Sequence, residues 1–286
     1  MKKIILFLAL IIASFAKDTI CVSILPQKFF VKKIVNDNFD IAVMVPPGSS
    51  PATYSVKPKQ LLEIKKAKIY FSIGVPFEKA WLKRFKNANK NLKIVDSSKY
   101  IKKIPMDEHH LHEHEHKHDH NEHKSLDPHI WMSPPLVMLQ ARVILEEVIK
   151  IDPKNEDFYL KNYENFIDEL SKIDTKILKM LSNLKKREFI VYHPSFGYFA
   201  KSYSLKQIAI EKEGKEPTIK YLKRVIDFAK KEGIKIVFVE PQFPKKSAKF
   251  IAQKIGGEVK VIDPLNENWD KNILEVASAI KKANSN

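Results

Sequence analysis

Two spacing patterns alternate along the chain: short apolar runs that resemble buried strands, and longer runs with an apolar residue every three or four positions. In the first half, strands are predicted at 19–25, 39–45, 69–73 and 92–95, and helices at 27–35, 57–66, 77–85 and 134–150. Such alternation is typical of a parallel sheet with helices on both faces. The stretch from Asp96 to Asp127 has neither pattern, so it is predicted to be a functional or disordered loop.

The second half repeats this alternation. Strands are predicted at 188–192, 207–210, 234–239 and 258–262, and helices at 196–203, 218–232, 246–255 and 269–282. Between the halves, Asp152-Pro153 interrupts the chain and a helix is predicted over 155–184, where about thirty residues would form a rod of about 45 Å. We therefore predict an α/β fold of two lobes, each with a parallel sheet of about four strands flanked by helices, joined by one long rigid helix.

The N-terminus differs in composition from the rest of the chain. Lys2 and Lys3 precede an apolar run over 4–12 that is too short to span a bilayer, and Ser14-Phe15-Ala16 resembles a signal-peptidase site. We predict that the signal peptide is cleaved and the protein exported; an uncleaved membrane anchor is the alternative. The predicted divisions are a signal peptide at 1–16, an N-terminal lobe at 17–153, a linking helix at 154–184 and a C-terminal lobe at 185–286.

The chain is strongly basic. Its 50 Lys and Arg residues exceed its 34 Asp and Glu residues by 16, and removing Lys2 and Lys3 leaves 48 against 34, or +14. A basic surface can bind nucleic acid, but the predicted export, the scarcity of glycine and the lack of a nucleic-acid motif argue against that partner. We interpret the charge as solvated helix faces, with a basic proteome or an anionic membrane surface as context.

Most histidines are concentrated in one tract, 107–124, which contains eight of the ten in the chain. Neutral imidazole binds borderline metal ions, so this composition is typical of metal binding, although a polar, low-complexity segment cannot fix a geometry alone. Residues 112–116 also match H-E-x-x-H, but that motif needs a packed helix, so we expect no protease. The tract histidines are His109, His110, His112, His114, His116, His118, His120 and His123.

Other polar residues follow predicted strands. In open α/β sheets, ligands bind beyond the carboxyl ends of the strands. His193, Glu240 and Asp263 each follow a predicted strand directly and precede a proline, whereas His129 stands just ahead of a predicted helix. Each could be an ordinary turn residue, but two histidines and a carboxylate together suit zinc or another borderline divalent ion.

Six sequence blocks form a recognisable series along the chain: the N-terminal signal, 45–48, the His-rich tract, 127–134, 193–200 and the pair 240–243 and 262–265. In this order they resemble the ZnuA-like periplasmic solute-binding proteins of zinc ABC importers, also called the cluster A-I or cluster 9 metal-binding family. The resemblance implies two lobes joined by a rigid helix, with one metal ion in the cleft between them. It also implies delivery of the metal to an inner-membrane ABC permease and its ATPase.

The same resemblance implies that His129, His193 and Asp263 are metal ligands. It also reveals a departure, because the first histidine of the family corresponds to Ala52, and no His, Asp, Glu or Cys lies within 41–56. Water, a tract histidine or Glu240 could complete the coordination shell, and we favour water.

The expected function is capture of Zn²⁺ as a transported ligand by a periplasmic monomer that is not an enzyme. A histidine at 193 favours zinc, since manganese binders of this family tend to have a carboxylate there. A periplasmic zinc chaperone is a further candidate partner, and the tract is expected to bind extra metal weakly near the cleft. The alternatives are a Mn²⁺ or Fe²⁺ importer component, a metal-binding adhesin on the same fold, and a secreted zinc hydrolase with Glu240 as its base.

Overall fold

The computed structural model describes residues 17–106, 125–211 and 215–284. The predicted signal peptide and the His-rich tract 107–124 lie outside these ranges. The first sheet is parallel throughout, with strand order β2-β1-β3-β4. Its strands are β1 Thr19–Val22, β2 Asp40–Val43, β3 Ala67–Ser72 and β4 Lys93–Asp96, and its lobe contains helices α1 Leu25–Val35, α2 Pro58–Lys66, α3 Pro76–Ala88 and α4 Pro134–Ile151.

The second sheet repeats this topology in parallel order β6-β5-β7-β8. The prediction of two α/β lobes with four-stranded parallel sheets is therefore confirmed. Its strands are β5 Glu188–Val191, β6 Lys206–Ala209, β7 Ile236–Val239 and β8 Glu258–Val261, and its helices are α6 Gly197–Ser202, α7 Ile219–Glu232, α8 Lys246–Lys254 and α9 Trp269–Asn284.

One long helix, α5 Glu156–Leu181, joins the lobes. Its 26 residues correspond to about 39 Å, somewhat shorter than predicted. The helix ends early because the chain turns after Leu181, where the Arg187 guanidinium donates a hydrogen bond to the Ser182 carbonyl at 3.0 Å. Among the described residues, neither α5 nor any other helix is long and apolar enough to cross a membrane.

The lobes share one continuous apolar core. Phe30 of the first lobe packs edge-on against Trp269 of α9, with ring centroids 5.2 Å apart, and Phe166 of α5 completes this aromatic cluster. Two indole hydrogen bonds of 2.7 Å also cross between the lobes, from Trp131 to the Pro264 carbonyl and from Trp269 to the Trp131 carbonyl. Burial of this much apolar surface opposes separation of the lobes.

Candidate metal centre

Two imidazoles from different lobes meet in the cleft. His129 lies between β4 and α4, just before a short 3₁₀ turn over Ile130–Met132, and His193 follows β5 in the second lobe. Their ring centroids are 5.2 Å apart and the ring planes cross at 75°. Residues 64 positions apart in sequence therefore form one pair of nitrogen donors.

The His129 ring is held by the carboxylate of Asp127. Oδ1 of Asp127 accepts a hydrogen bond of 2.8 Å from the His129 backbone N–H and lies 2.7 Å from Nδ1 of the ring. Trp131 packs on the other side, with its ring centroid 5.0 Å from that of the imidazole. A carboxylate at Nδ1 fixes the ring orientation and directs Nε2 to a metal, as is usual for metal-binding histidines.

His193 has the same kind of support from the second lobe. Its Nδ1 lies 3.0 Å from Oε1 of Glu211, and its ring stacks on Phe243 at 4.6 Å with an interplanar angle of 21°. Burial lowers the pKa of His193 below its usual value, and the hydrogen bond that the ring makes to Glu211 opposes this shift only in part. The neutral imidazole that burial favours is the form that binds a metal ion.

Glu240 supports the turn that presents His193. Its carboxylate is buried and accepts hydrogen bonds of 3.2 Å from the His193 backbone N–H and the Ser195 hydroxyl. Burial raises its pKa to about 8. Both oxygens therefore face protein donors, an arrangement suited to holding the turn in place.

Asp263 lies on the wall of a cavity of about 200 Å³ between the lobes, which Pro46, Pro47 and Gly48 line from the opposite side. Its Oδ1 accepts hydrogen bonds from the Gln242 side-chain amide at 3.1 Å and the Leu265 backbone N–H at 3.0 Å. Gln242 also lines the cavity, and it directly precedes Phe243, the residue stacked on His193. The cavity wall is therefore next to the support of His193 in the sequence.

The structure pairs His129 with His193 but does not bring all three predicted ligands, His129, His193 and Asp263, into one group. Within the described ranges 17–106, 125–211 and 215–284, no three or more His, Cys, Asp or Glu residues are arranged so that they could hold a metal ion. Ala52 is exposed, and its backbone N–H donates to the Ser50 hydroxyl at 3.2 Å. The tract histidines lie outside the described residues.

Two supporting carboxylates were not assigned a role from the sequence. Glu211 follows β6 by two residues, at the same sheet edge as His193, so the rule about strand ends could have found it. Asp127 stands in the Asp-Pro-His segment, where an aspartate readily accepts a bond from the backbone two residues later.

Comparison with known proteins places the whole described fold in one family. The sequence profile of the family described as "ZnuA: Zinc-uptake complex component A periplasmic" matches residues 20–283. The high-affinity zinc uptake system protein ZnuA of Bacillus subtilis is 30% identical over 264 residues, covering 87% of this chain and 80% of that protein. The zinc-binding protein AdcA of Streptococcus pyogenes serotype M3 is 27% identical and covers 94% of this chain, which spans 57% of AdcA.

Solved structures agree. A crystal structure of ZnuA is 41% identical, with a TM-score of 0.86 over 94% of this chain and 100% of that one. A zinc-bound deletion mutant of ZnuA has the same sequence identity and TM-score, and the match covers 94% of this chain and 98% of that one. The laminin-binding protein Lmb of Streptococcus agalactiae, at 22% identity and a TM-score of 0.79, shares the fold.

These matches confirm the family expected from the six sequence blocks. They also confirm that the chain is not an enzyme, since family members are substrate-binding components of uptake systems. The chain belongs to the ZnuA family of periplasmic zinc-uptake proteins.

Proposed function

We propose that this protein captures Zn²⁺ in the cleft between its lobes and delivers it to an ABC permease for import. The observation that carries the proposal is the pairing of His129 and His193 across the lobe boundary at 5.2 Å, each backed by a carboxylate at Nδ1. Such backing fixes the ring orientation and raises the basicity of the free nitrogen.

In this proposal, His129 and His193 supply two nitrogen ligands and Asp263 the third ligand, through the carboxylate oxygen that Gln242 and Leu265 do not hold. Water completes the shell, because Ala52 cannot act as a ligand. Imidazole nitrogen combined with carboxylate oxygen suits Zn²⁺. Glu240 acts beneath the site by supporting the His193 turn.

The cellular part of the proposal follows from the family and the N-terminus. Cleavage after Ala16 releases the mature protein into the periplasm, where it acts as a monomer with the permease, its ATPase and a periplasmic zinc chaperone. The lobe limits remain those predicted, 17–153 and 185–286 with a linker at 154–184. The tract 107–124 collects extra zinc weakly and raises its concentration at the cleft.

Calorimetric zinc titration of the metal-stripped mature protein tests the site. It is performed on the wild type, on a 108–124 deletion, and on His193→Ala and Glu164→Ala in the deletion background. Glu164 is an exposed residue of α5 and serves as the control. We expect one tight site that survives the deletion and the control change and weakens at least about 100-fold in His193→Ala, equivalent to about 2.7 kcal/mol.

Tight binding that persists in His193→Ala would contradict a cleft site. Loss of tight binding on deletion alone would show that a tract histidine completes the shell. A deletion variant that keeps the full zinc stoichiometry would rule out the collecting role of the tract.

A further inference from the structure

The hydroxyl of Tyr198 lies where three parts of the molecule meet. Tyr198 is in α6 and its side chain is buried. Its oxygen accepts a hydrogen bond of 3.0 Å from the Ile104 backbone N–H and donates one of 2.9 Å to the Asp127 carbonyl. Ile104 and Asp127 belong to the first lobe and Tyr198 to the second, so this single atom links the lobes.

Ile104 and Asp127 also pair with each other. The Asp127 N–H donates to the Ile104 carbonyl at 2.8 Å, the Met106 N–H donates to the Ser125 carbonyl at 2.9 Å, and Pro105 and Leu126 form an antiparallel bridge. We call residues 104–106 and 125–127 the stem, since they flank the His-rich tract. The Tyr198 hydroxyl is bonded to both strands of the stem at its base.

Asp127 connects the stem to the metal centre. Its carbonyl accepts the Tyr198 bond, and its carboxylate holds the backbone N–H and Nδ1 of His129. Tyr198 itself lies five residues after His193, in the helix that the His193 turn leads into. The same hydroxyl is therefore close in sequence to one imidazole and connected through Asp127 to the other.

We infer that Tyr198 is a positioning residue of the zinc site, whose hydroxyl fixes the His129 arm relative to His193 and couples that arm to the stem of the His-rich tract. The inference rests on the proposed zinc function and names a residue on which the zinc affinity of that site depends. Without the hydroxyl, a buried N–H of Ile104 and the carbonyl of Asp127 lose a partner, so the stem shifts or admits water. Small displacements of a ligand are costly at a metal site, because its coordination geometry is narrow.

Tyr198→Phe removes only the hydroxyl, and Tyr203→Phe provides a matched control. Tyr203 directly follows α6, is also buried, and donates its hydroxyl hydrogen bond to Asp174 of α5 at 2.7 Å, away from the His129 arm. We expect both variants to melt at lower temperature than the wild type. Only Tyr198→Phe should weaken zinc binding, by about tenfold, at the lower end of the range for residues behind metal ligands.

The effect of zinc on amide hydrogen exchange at Ile104 distinguishes a positioning role from simple destabilisation. In the wild type and in Tyr203→Phe, zinc should slow exchange at this amide, because metal binding immobilises His129 and, through Asp127 and Tyr198, the stem. In Tyr198→Phe, the amide should exchange faster and zinc should no longer slow it.

Equal affinity in Tyr198→Phe and Tyr203→Phe, whether both are weakened or both unchanged, would overturn the positioning role. So would a zinc effect on Ile104 exchange that persists without the hydroxyl. These outcomes are separate from failure of the proposed function, in which the wild type and His193→Ala would bind zinc equally well.

Discussion

The two sheets have the same strand order, yet the residues at their carboxyl edges differ in kind. In the second lobe, ionisable side chains follow all four strands. One of them, His193, lies in the cleft, and Glu211 and Glu240 hold it in place. In the order of the strands across the sheet, β6, β5, β7 and β8, these residues are Glu211, His193, Glu240 and Asp263.

The corresponding edge of the first lobe uses its polar groups internally. The carboxylate of Glu78 is buried and accepts hydrogen bonds from the Ser23 hydroxyl and from the backbone N–H groups of Ile73, at 3.0 Å, and Gly74, at 2.9 Å. Gln27 donates to the Phe71 carbonyl at 3.2 Å. These bonds join strand ends to helices within the lobe. The imidazole that this lobe contributes, that of His129, belongs to a segment outside the sheet.

The comparison shows that topology places an edge at the cleft and that residue identity decides what the edge does. A buried carboxylate at the first edge joins a strand end to a helix, and the carboxylates of the second edge hold the His193 turn and imidazole. Substitutions at the two edges should therefore change different measurable quantities.

The largest effect is expected at the edge of the first lobe. Glu78→Ala leaves the buried N–H groups of Ile73 and Gly74 without their acceptor, so the free energy of unfolding should fall by about 2–3 kcal/mol. Thermal denaturation should show a decrease in Tm of roughly 5–10 °C. Zinc affinity at a temperature where the variant is folded should stay within about twofold of the wild type.

Glu78→Gln gives the matched pH control. Burial raises the pKa of Glu78 above its usual value of 4.5, so the folded protein favours the protonated carboxyl group. The stability that this protonation contributes is fully present below pH 4.5 and is lost as pH rises through the raised pKa. The wild type should therefore lose stability relative to Glu78→Gln as pH rises. A large change in zinc affinity in either variant would erase the distinction between the edges.

An intermediate effect is expected at Glu211. Glu211→Gln keeps the size of the side chain but removes the charge next to Nδ1 of His193, so zinc affinity should fall about 10-fold, with little change in Tm. Asp127→Asn is the equivalent change beneath His129 and should weaken zinc binding to a similar degree. Calorimetric titration of both variants tests whether the two histidine arms are supported in the same way, and a loss in only one would show unequal arms.

The smallest effect is expected where the lobes meet at the surface. Lys28 of α1 forms an ion pair with Glu267 of the second lobe, and the two side chains are 38% and 50% exposed. Because exposed pairs contribute at most about 1 kcal/mol, Lys28→Ala should change zinc affinity by less than about threefold, and salt should abolish the difference. A larger or salt-independent change would make this bridge part of the metal site.

The alternation of strands and helices was predictable because each element carries its own spacing pattern. The boundaries were harder to predict, as the first strand shows. The sequence predicts a strand over 19–25, but β1 ends at Val22, since Oε1 of Gln27 accepts the backbone N–H groups of Ser23 and Ile24 and α1 begins at Leu25. An apolar run alone does not reveal where such a side chain interrupts it.

His193 was predictable from its strand end and His129 from family resemblance, but which side chain supports each imidazole was not. The pairing of Glu211 with His193 depends on which strands are neighbours in the sheet. The Trp131 bond to Pro264 joins residues 133 positions apart and exists only once both lobes are folded. Such contacts are set by tertiary packing, which local patterns do not encode.

The core that the lobes share has a consequence for how the protein signals its state. Because aromatic packing and two indole hydrogen bonds join the lobes, we expect metal binding to change the outline of the protein only slightly. Any partner that must distinguish the loaded from the empty protein would have to sense small local differences at the mouth of the cleft. Discrimination would then depend on the fit of a few side chains rather than on overall shape.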